Sequence, residues 1–153
     1  MALIQELSNI IHPKKYNNIT FSVNGIPIIT VNFLKDGKVM LLVNNMKELR
    51  YYELDFDKNT DNFADEVLDK LIYSGIDPMI RELRGSTIKF EGEPYLEGEI
   101  MKNKLIISQG KTDLDEGGEE VVVSDKHEIT AVIGLTGVTL AKTITAFALQ
   151  YYL

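Results

Sequence analysis

Apolar and polar residues alternate along the first third of the chain, and this alternation predicts β-strands. Residues 19–23 read Ile-Thr-Phe-Ser-Val, so one face of this strand is expected to be buried and the other wet. Asn24-Gly25 and Asp36-Gly37 separate such runs, and each pair favours a two-residue hairpin turn. This part of the chain therefore predicts an antiparallel meander of about four strands, at 19–23, 27–34, 38–43 and 48–54.

A second alternating region begins at residue 88. In its first strand the apolar Ile88 and Phe90 alternate with charged residues. The alternation predicts a second antiparallel set of about four strands, the last at Val121–Val123. The segment Lys111–Glu120, KTDLDEGGEE, indicates a mobile acidic loop before that last strand.

Apolar residues at helical spacing predict helices outside these two regions. The expected helices are Ala2–Ile11, a second one capped by Asp61 or Asn62 and ended by Gly75, and a short third one with Pro78 at its first position and Gly85 at its end. Asp125 and Glu128 stand in the relation of a capping box, which favours a fourth helix into the C-terminal stretch. Part of 129–145 could instead be a strand, because it is rich in β-branched residues.

This order of elements predicts an α+β fold in a single domain, residues 1–153. We expect an antiparallel sheet built from two meanders of about four strands each, with N-terminal, central and C-terminal helices. The 153 residues suffice for one substantial core.

Composition and charge argue against several classes of function. The net charge is −7, and residues 55–130 carry nine Lys and Arg against nineteen Asp and Glu, which argues against a nucleic-acid-binding surface. An acidic middle favours a basic partner or cations. The chain has no cysteine, which excludes disulfides and thiolate chemistry. Its first residues lack the basic region of a secretion signal, so we expect a cytoplasmic protein.

The acidic segment Asp55–Glu66 is the closest match to a metal site. Its candidate calcium ligands are Asp55, Asp57, Asn59, Asp61 and Glu66, spaced as in an EF-hand loop. Thr60 stands where such a loop needs glycine for its sharp turn. The alternative is a polar strand-to-helix connection whose aspartates cap the helix. We expect no cofactor apart from this possible Ca²⁺.

Other titratable residues form no recognisable catalytic pattern. His12 and His127 are the only histidines, and nothing in the sequence brings them together. The acidic loop could hold a divalent cation or a basic partner, through Asp113, Asp115, Glu116, Glu119 and Glu120. No nucleophile stands in a catalytic motif, so enzyme activity is not expected.

The stretch 131–153 is apolar and carries one charge, Lys142. It is long enough to span a membrane, but Lys142 near its centre and several threonines make a membrane tail a minority interpretation. As a helix it presents a narrow polar stripe and a wide apolar face. We expect it to pack in the chain's own fold or against a second copy. The candidate interaction residues are Ile133, Gly137, Leu140, Ile144, Phe147 and Tyr151.

These patterns together favour a non-enzymatic protein-interaction module, such as an adaptor, chaperone, inhibitor or assembly subunit. We expect it to self-associate through its C-terminal helix. In element order, small size and acidity the chain resembles class I secretion chaperones, and this resemblance implies an acidic homodimer. The alternatives are a cation- or ligand-binding protein that uses Asp55–Glu66 and a tail-anchored membrane protein.

Overall fold

The described part of the protein consists of eight strands, four helices and one 3₁₀ turn. The computed structural model describes residues 2–58, 60–82, 87–130 and 136–153. The elements in chain order are α1 (Ala2–Ile10), β1 (Asn18–Val23), β2 (Ile26–Phe33), β3 (Lys38–Asn44), β4 (Leu49–Asp55), a 3₁₀ turn (Thr60–Asn62), α2 (Phe63–Tyr73), α3 (Ile76–Glu82), β5 (Ile88–Gly92), β6 (Leu96–Met101), β7 (Lys104–Leu114), β8 (Glu120–Ile129) and α4 (Gly137–Tyr151). The predicted α+β class is confirmed.

The strands form one antiparallel sheet in the order β4-β3-β2-β1-β5-β6-β7-β8. Two meanders meet at its centre, where β1 pairs with β5 from Ile19 opposite Gly92 to Val23 opposite Ile88. Phe21 faces Phe90 across this seam, with ring centroids 5.5 Å apart. Each meander therefore starts at the centre of the sheet and ends at an edge.

One face of the sheet is buried. Except in the outer parts of β7 and β8, alternate residues of the strands point into a common core, as the registers require for side chains of period two. The helical layer covers this face, and α4 lies between α1 and α2. The largest fully buried side chains include Phe21, Phe63, Phe90, Phe147, Leu7, Leu41 and Leu71.

The C-terminal helix α4 is the centre of this layer. Most of its side chains are buried, including Thr139 and Thr143 of the predicted polar stripe and the nearby Thr145. Thr143 and Thr145 donate to the carbonyls of Thr139 and Ala141 one turn earlier, at 2.8 and 2.7 Å. Because these two hydroxyls are satisfied within the helix, they tolerate burial.

The start of α4 differs from the prediction. Asp125 and Glu128 do not form a capping box, because both belong to β8, which continues to Ile129. The helix begins only at Gly137. Cross-strand pairing with β7 thus prevails over the local capping signal. Within the described ranges no helix is long and apolar enough to cross a membrane.

Two further predictions need correction. Half of the predicted loop Lys111–Glu120 is strand, because β7 extends to Leu114, β8 begins at Glu120 and the turn covers only residues 115–119. Pro78 is the third residue of α3, not its first, and the predicted end at Gly85 lies outside the described residues. The first meander is confirmed, with strand limits within about two residues of those predicted.

Candidate functional site

The face of the sheet opposite the helices is uncovered, and its central strands carry a continuous row of polar side chains. From β2 to β8, the directly opposed residues of this row are Thr30, Thr20, Glu91, Glu97, Ser108 and Lys126. We call the whole uncovered side of the sheet the open face. Polar residues of this kind are typical of the wet side of an antiparallel sheet.

Two like charges stand directly opposite each other in this row. Glu91 on β5 faces Glu97 on β6, and neither carboxylate belongs to an ion pair among the described side chains. The neighbouring pair, Lys89 and Glu99, is matched in charge and approaches to 4.0 Å. Directly opposed like charges destabilise a sheet by a few tenths of a kcal/mol up to about 1 kcal/mol. The Glu91–Glu97 pair is therefore not explained by folding stability.

The two glutamates lie where two shallow depressions meet. The first, of about 470 Å³, is lined by Asn18, Thr20, Glu91, Gly92, Glu93, Pro94, Tyr95, Leu96 and Glu97. The second, of about 410 Å³, extends toward β8 and is lined by Ser22, Lys89, Phe90, Glu91, Glu97, Gly98, Glu99, Ile106, Ser108 and Lys126. Glu91 and Glu97 are shared by both.

Tyr95 forms an aromatic rim on the first depression. Its side chain is half-exposed and packs against Gly110, where a Cβ would lie only 2.7 Å from the Tyr95 Cβ. The Gly110 N–H donates to the Tyr95 carbonyl at 3.0 Å. Glycine at position 110 therefore lets the turn that carries Tyr95 approach β7 closely. This approach holds the Tyr95 ring in the same depression as the carboxylates of Glu91, Glu93 and Glu97. Such an arrangement suits a cation.

The outer part of the open face, on β3 and β4, carries exposed apolar side chains among polar ones. Leu42 faces Tyr51, and the next pair on the same face places Leu49 opposite Asn44. Leu42, Leu49 and Tyr51 are all exposed. The open face thus combines an acidic centre with an apolar margin.

The structure also brings the two histidines together on one carboxylate. The Nε2 atoms of His12 and His127 lie 3.2 and 3.1 Å from the two oxygens of Asp125. The hydrogen bond with His12 is the main cause that lowers the pKa of Asp125, and the electrostatic interaction with His127 acts in the same direction. This cluster joins the segment after α1 to the edge strand β8, and it lies on the helical side of the sheet.

A buried glutamine completes this connection. Gln109 on β7 is fully buried; its Oε1 accepts from the backbone N–H of His12 at 2.8 Å and from the Tyr16 hydroxyl at 3.1 Å. Its Nε2 donates to the Ile10 carbonyl at 3.0 Å. Burial raises the pKa of Tyr16 to about 12, and the charge of Asp125 adds to this. We interpret the cluster as structural, because its groups satisfy one another.

Asp125 should make stability depend on pH. Its folded-state pKa lies below the ordinary value of 3.8, so the ionised carboxylate stabilises the fold above that value, and this contribution is lost as the pH falls through the folded-state pKa. We expect Asp125→Asn to lower stability at pH 7 by about 1 kcal/mol or less and to flatten the decline between about pH 5 and 2. Urea unfolding at several pH values measures this. Asp113→Asn, on the exposed hairpin, is the matched control, and an equal flattening there would contradict the assignment.

The predicted calcium ligands lie in a strand-to-helix connection. Asp55 ends β4 and accepts from Lys38 Nζ at 3.1 Å and from the Lys58 backbone N–H at 3.2 Å. The Lys38 hydrogen bond is the main cause that lowers the pKa of Asp55. Asp57 packs against Gly37, while Asn59 lies outside the described residues.

The remaining two predicted ligands are on the helical side of this connection. Asp61 is exposed in the 3₁₀ turn, and Glu66 is in the first turn of α2. Asn62 stands at the N-cap position without a side-chain capping bond. In the part of the chain that is described, no group of three or more His, Asp or Glu side chains could hold a metal ion. Calcium binding here stays a prediction.

The predicted acidic loop is the tip of the β7–β8 hairpin. Asp115 Oδ1 accepts from the backbone N–H groups of Gly117 and Glu119, at 2.9 and 2.8 Å. The carboxylate that could have bound a cation therefore closes the turn. Asp113 and Glu120 belong to the strands on either side.

The predicted interaction residues of α4 are mostly in the chain's own core. Gly137, Leu140, Ile144 and Phe147 are buried, and Tyr151 stacks on Phe33 with ring centroids 5.6 Å apart. Ile133 lies outside the described residues. Because one copy of the chain already covers these side chains, a second copy could reach them only if α4 left the core.

Sequence reasoning missed the Glu91–Glu97 pair, although a signal existed. Both residues stand three positions from Pro94, so a hairpin centred on that proline places them opposite each other. The sequence offered no comparable signal for His12 and Asp125, which are 113 positions apart.

Comparisons of this chain with protein-family models, with curated proteins and with solved structures find no match.

Proposed function

We propose that the protein is a non-enzymatic protein-interaction module that binds a basic segment of a partner protein on its open face. The Glu91–Glu97 pair is the observation that carries this proposal. Two unpaired carboxylates held opposite each other give up folding stability. A Lys or Arg side chain placed between them would remove their repulsion and form two charge-assisted hydrogen bonds.

The surroundings of the pair support a peptide rather than a small cation. The two depressions continue along the strands on both sides of the pair, so they offer room for several residues. Tyr95 adds an aromatic face for a second cationic side chain. The exposed Leu42, Leu49 and Tyr51 would meet apolar residues of the same partner.

The charge of the whole molecule supports the same partner. At −7 the chain attracts basic proteins from a distance, and such attraction raises association rates. A partner of like charge would be repelled from the open face. We therefore propose a protein partner, with no cofactor and no nucleic acid.

Binding of a labelled octalysine peptide, followed by fluorescence anisotropy at low salt, tests the proposal. Glu91→Gln/Glu97→Gln should weaken binding by about three- to tenfold, because two cation–carboxylate contacts of up to about 1 kcal/mol each are lost. The same variant should be more stable than the wild type by a few tenths of a kcal/mol.

Asp65→Asn/Asp69→Asn is the matched control. It removes the same charge from exposed positions on α2, on the other side of the sheet. If the control weakens binding as much as the open-face variant, attraction is general and the open face is not the site. If neither variant has any effect, the proposed function is wrong.

A further inference from the structure

The hairpin of β7 and β8 projects beyond the rest of the sheet. β6 pairs with β7 only as far as Gln109, whereas β7 and β8 continue for five more pairs, from Gly110 opposite Ser124 to Leu114 opposite Glu120. We call residues 110–124 the arm. Residues 111–124 are all exposed, so the arm buries almost nothing in its own chain.

The outer strand of the arm is apolar and regular. Val121, Val122 and Val123 are 37%, 66% and 38% exposed. β8 pairs with β7 without a register shift over ten residues, and it contains no proline. Sheet edges are normally protected by bulges, prolines or short strands, and an isolated two-stranded hairpin is marginally stable in water. The free edge of β8 therefore suits pairing with another strand.

We propose that two copies of this chain pair through their β8 edges, antiparallel and centred on Val123, so that their sheets join into one. This proposal concerns the free edge of β8 and does not depend on the proposed function. Lys126, at the β8 end of the open-face row, is shared by the two surfaces, whereas the Glu91–Glu97 pair belongs to the open face alone. The proposal replaces the C-terminal helix with the arm as the means of self-association.

In this register the charged residues of one β8 strand are complementary to those of the β8 strand in the second copy. A two-fold axis through an antiparallel pair is perpendicular to the sheet, so it brings residues of the same face opposite each other. With Val123 opposite its own copy, Val122 lies opposite Ser124 of the partner subunit. Glu120 then lies opposite Lys126 of the partner subunit, and the symmetry makes this ion pair twice.

Neighbouring registers bring like charges together. A pairing centred one residue earlier places Glu119 opposite Asp125 of the partner subunit. A pairing centred one residue later places Glu120 opposite Glu128 of the partner subunit. Like charges directly opposite each other destabilise strand pairing, so electrostatics selects the register centred on Val123.

The same pattern favours a second copy over an unrelated basic strand. Along β8 the edge presents the acidic Glu120, three valines, Ser124, Asp125 and then the basic Lys126. A uniformly basic segment would suit Glu120 but would oppose Lys126. An antiparallel copy satisfies both. Because the paired edge is smaller than a standard interface, we expect dissociation constants of about micromolar.

Charge reversal tests the pairing by analytical ultracentrifugation of the full chain. Glu120→Lys and Lys126→Glu should each weaken dimerisation by about tenfold, since each converts two attractive pairs into repulsive ones. The double variant Glu120→Lys/Lys126→Glu restores opposite charges and should return the dissociation constant to within about twofold of the wild type. In one chain the two residues are six positions apart, about 20 Å along the strand, so a contact within one subunit cannot produce this rescue.

Val123→Cys provides a second measurement in a chain that has no cysteine. Opposed cysteines at the centre of the pairing should form a disulfide-linked dimer under mild oxidation. Val138→Cys, exposed on α4, is the control and should not crosslink efficiently. Glu91→Gln/Glu97→Gln should dimerise like the wild type, so the two proposals can fail separately. A strictly monomeric wild type at about millimolar concentration, or a folded double variant without rescue, would overturn the proposal.

Discussion

Phe147→Ala is expected to lower the free energy of unfolding by about 4 kcal/mol. Phe147 lies on the buried side of α4 and is 1% exposed. Its ring makes edge-to-face contacts with Tyr16 and Phe90, at centroid distances of 6.1 and 5.9 Å. Truncation removes the apolar contacts and leaves a cavity between the helical layer and the centre of the sheet.

Urea unfolding followed by circular dichroism measures this loss. Val138→Ala is the control on the same helix, because Val138 is 41% exposed and its truncation should change stability by less than about 0.5 kcal/mol. The comparison also tests where α4 lies in solution. A loss below about 1 kcal/mol for Phe147→Ala would mean that the helix leaves the core, as self-association through α4 would require.

Gln109→Leu should be the second severe substitution, with a loss of about 3 kcal/mol. It keeps the side chain's approximate volume but removes the partners of three groups: the His12 N–H, the Ile10 carbonyl and the Tyr16 hydroxyl. An unsatisfied buried polar group costs about 1–3 kcal/mol, and the backbone groups near the end of α1 have little access to water.

Tyr16→Phe separates the hydroxyl from the backbone groups. Alone it should cost about 1 kcal/mol, because it removes one hydrogen bond and leaves Gln109 with its two backbone partners. In the double variant the two losses should sum to less than their separate values, since the lost bond is shared. Thermal unfolding of the wild type, the two single variants and the double variant completes this double-mutant cycle. Full additivity would contradict the shared hydrogen bond.

The first meander could be predicted closely from the sequence. Asn24-Gly25 forms the predicted two-residue turn, with φ of 51° and 78°. The second turn falls where Asp36-Gly37 predicts it, but only Gly37 has a positive φ there, 82°, and residues 34–37 join the two strands. Alternation of polar and apolar residues then fixes which side chains face the core. Both signals are local, which is why they survive without knowledge of the fold.

The second half of the sheet was harder to predict. The arm contains the polar residues 111–113 and Glu120, whose composition is typical of a loop, yet they pair as strands because β7 and β8 are held together by their turn. Asp115 closes that turn through its carboxylate. The Asp125–Glu128 spacing signalled a helix, but a capping box requires a free helix start, and the strand already uses those backbone groups.

The candidate site was predicted only in part. Charge composition indicated a basic partner, but the Glu91–Glu97 pair depends on the β5–β6 register, and the depressions depend on which face the helices cover. The cluster of His12, Asp125 and His127 joins residues from opposite ends of the chain. Such long-range contacts leave no periodic pattern in the sequence.

The position of α4 in the chain has a consequence for synthesis. The eight described strands all precede α4, yet α4 occupies the middle of the helical layer between α1 and α2. As the polypeptide is made, most strands of the sheet therefore emerge before their central covering helix. The apolar face of these strands stays exposed for at least the time needed to add residues 137–151, about one to three seconds at ordinary elongation rates. During that interval the nascent protein exposes an apolar surface to which molecular chaperones can bind.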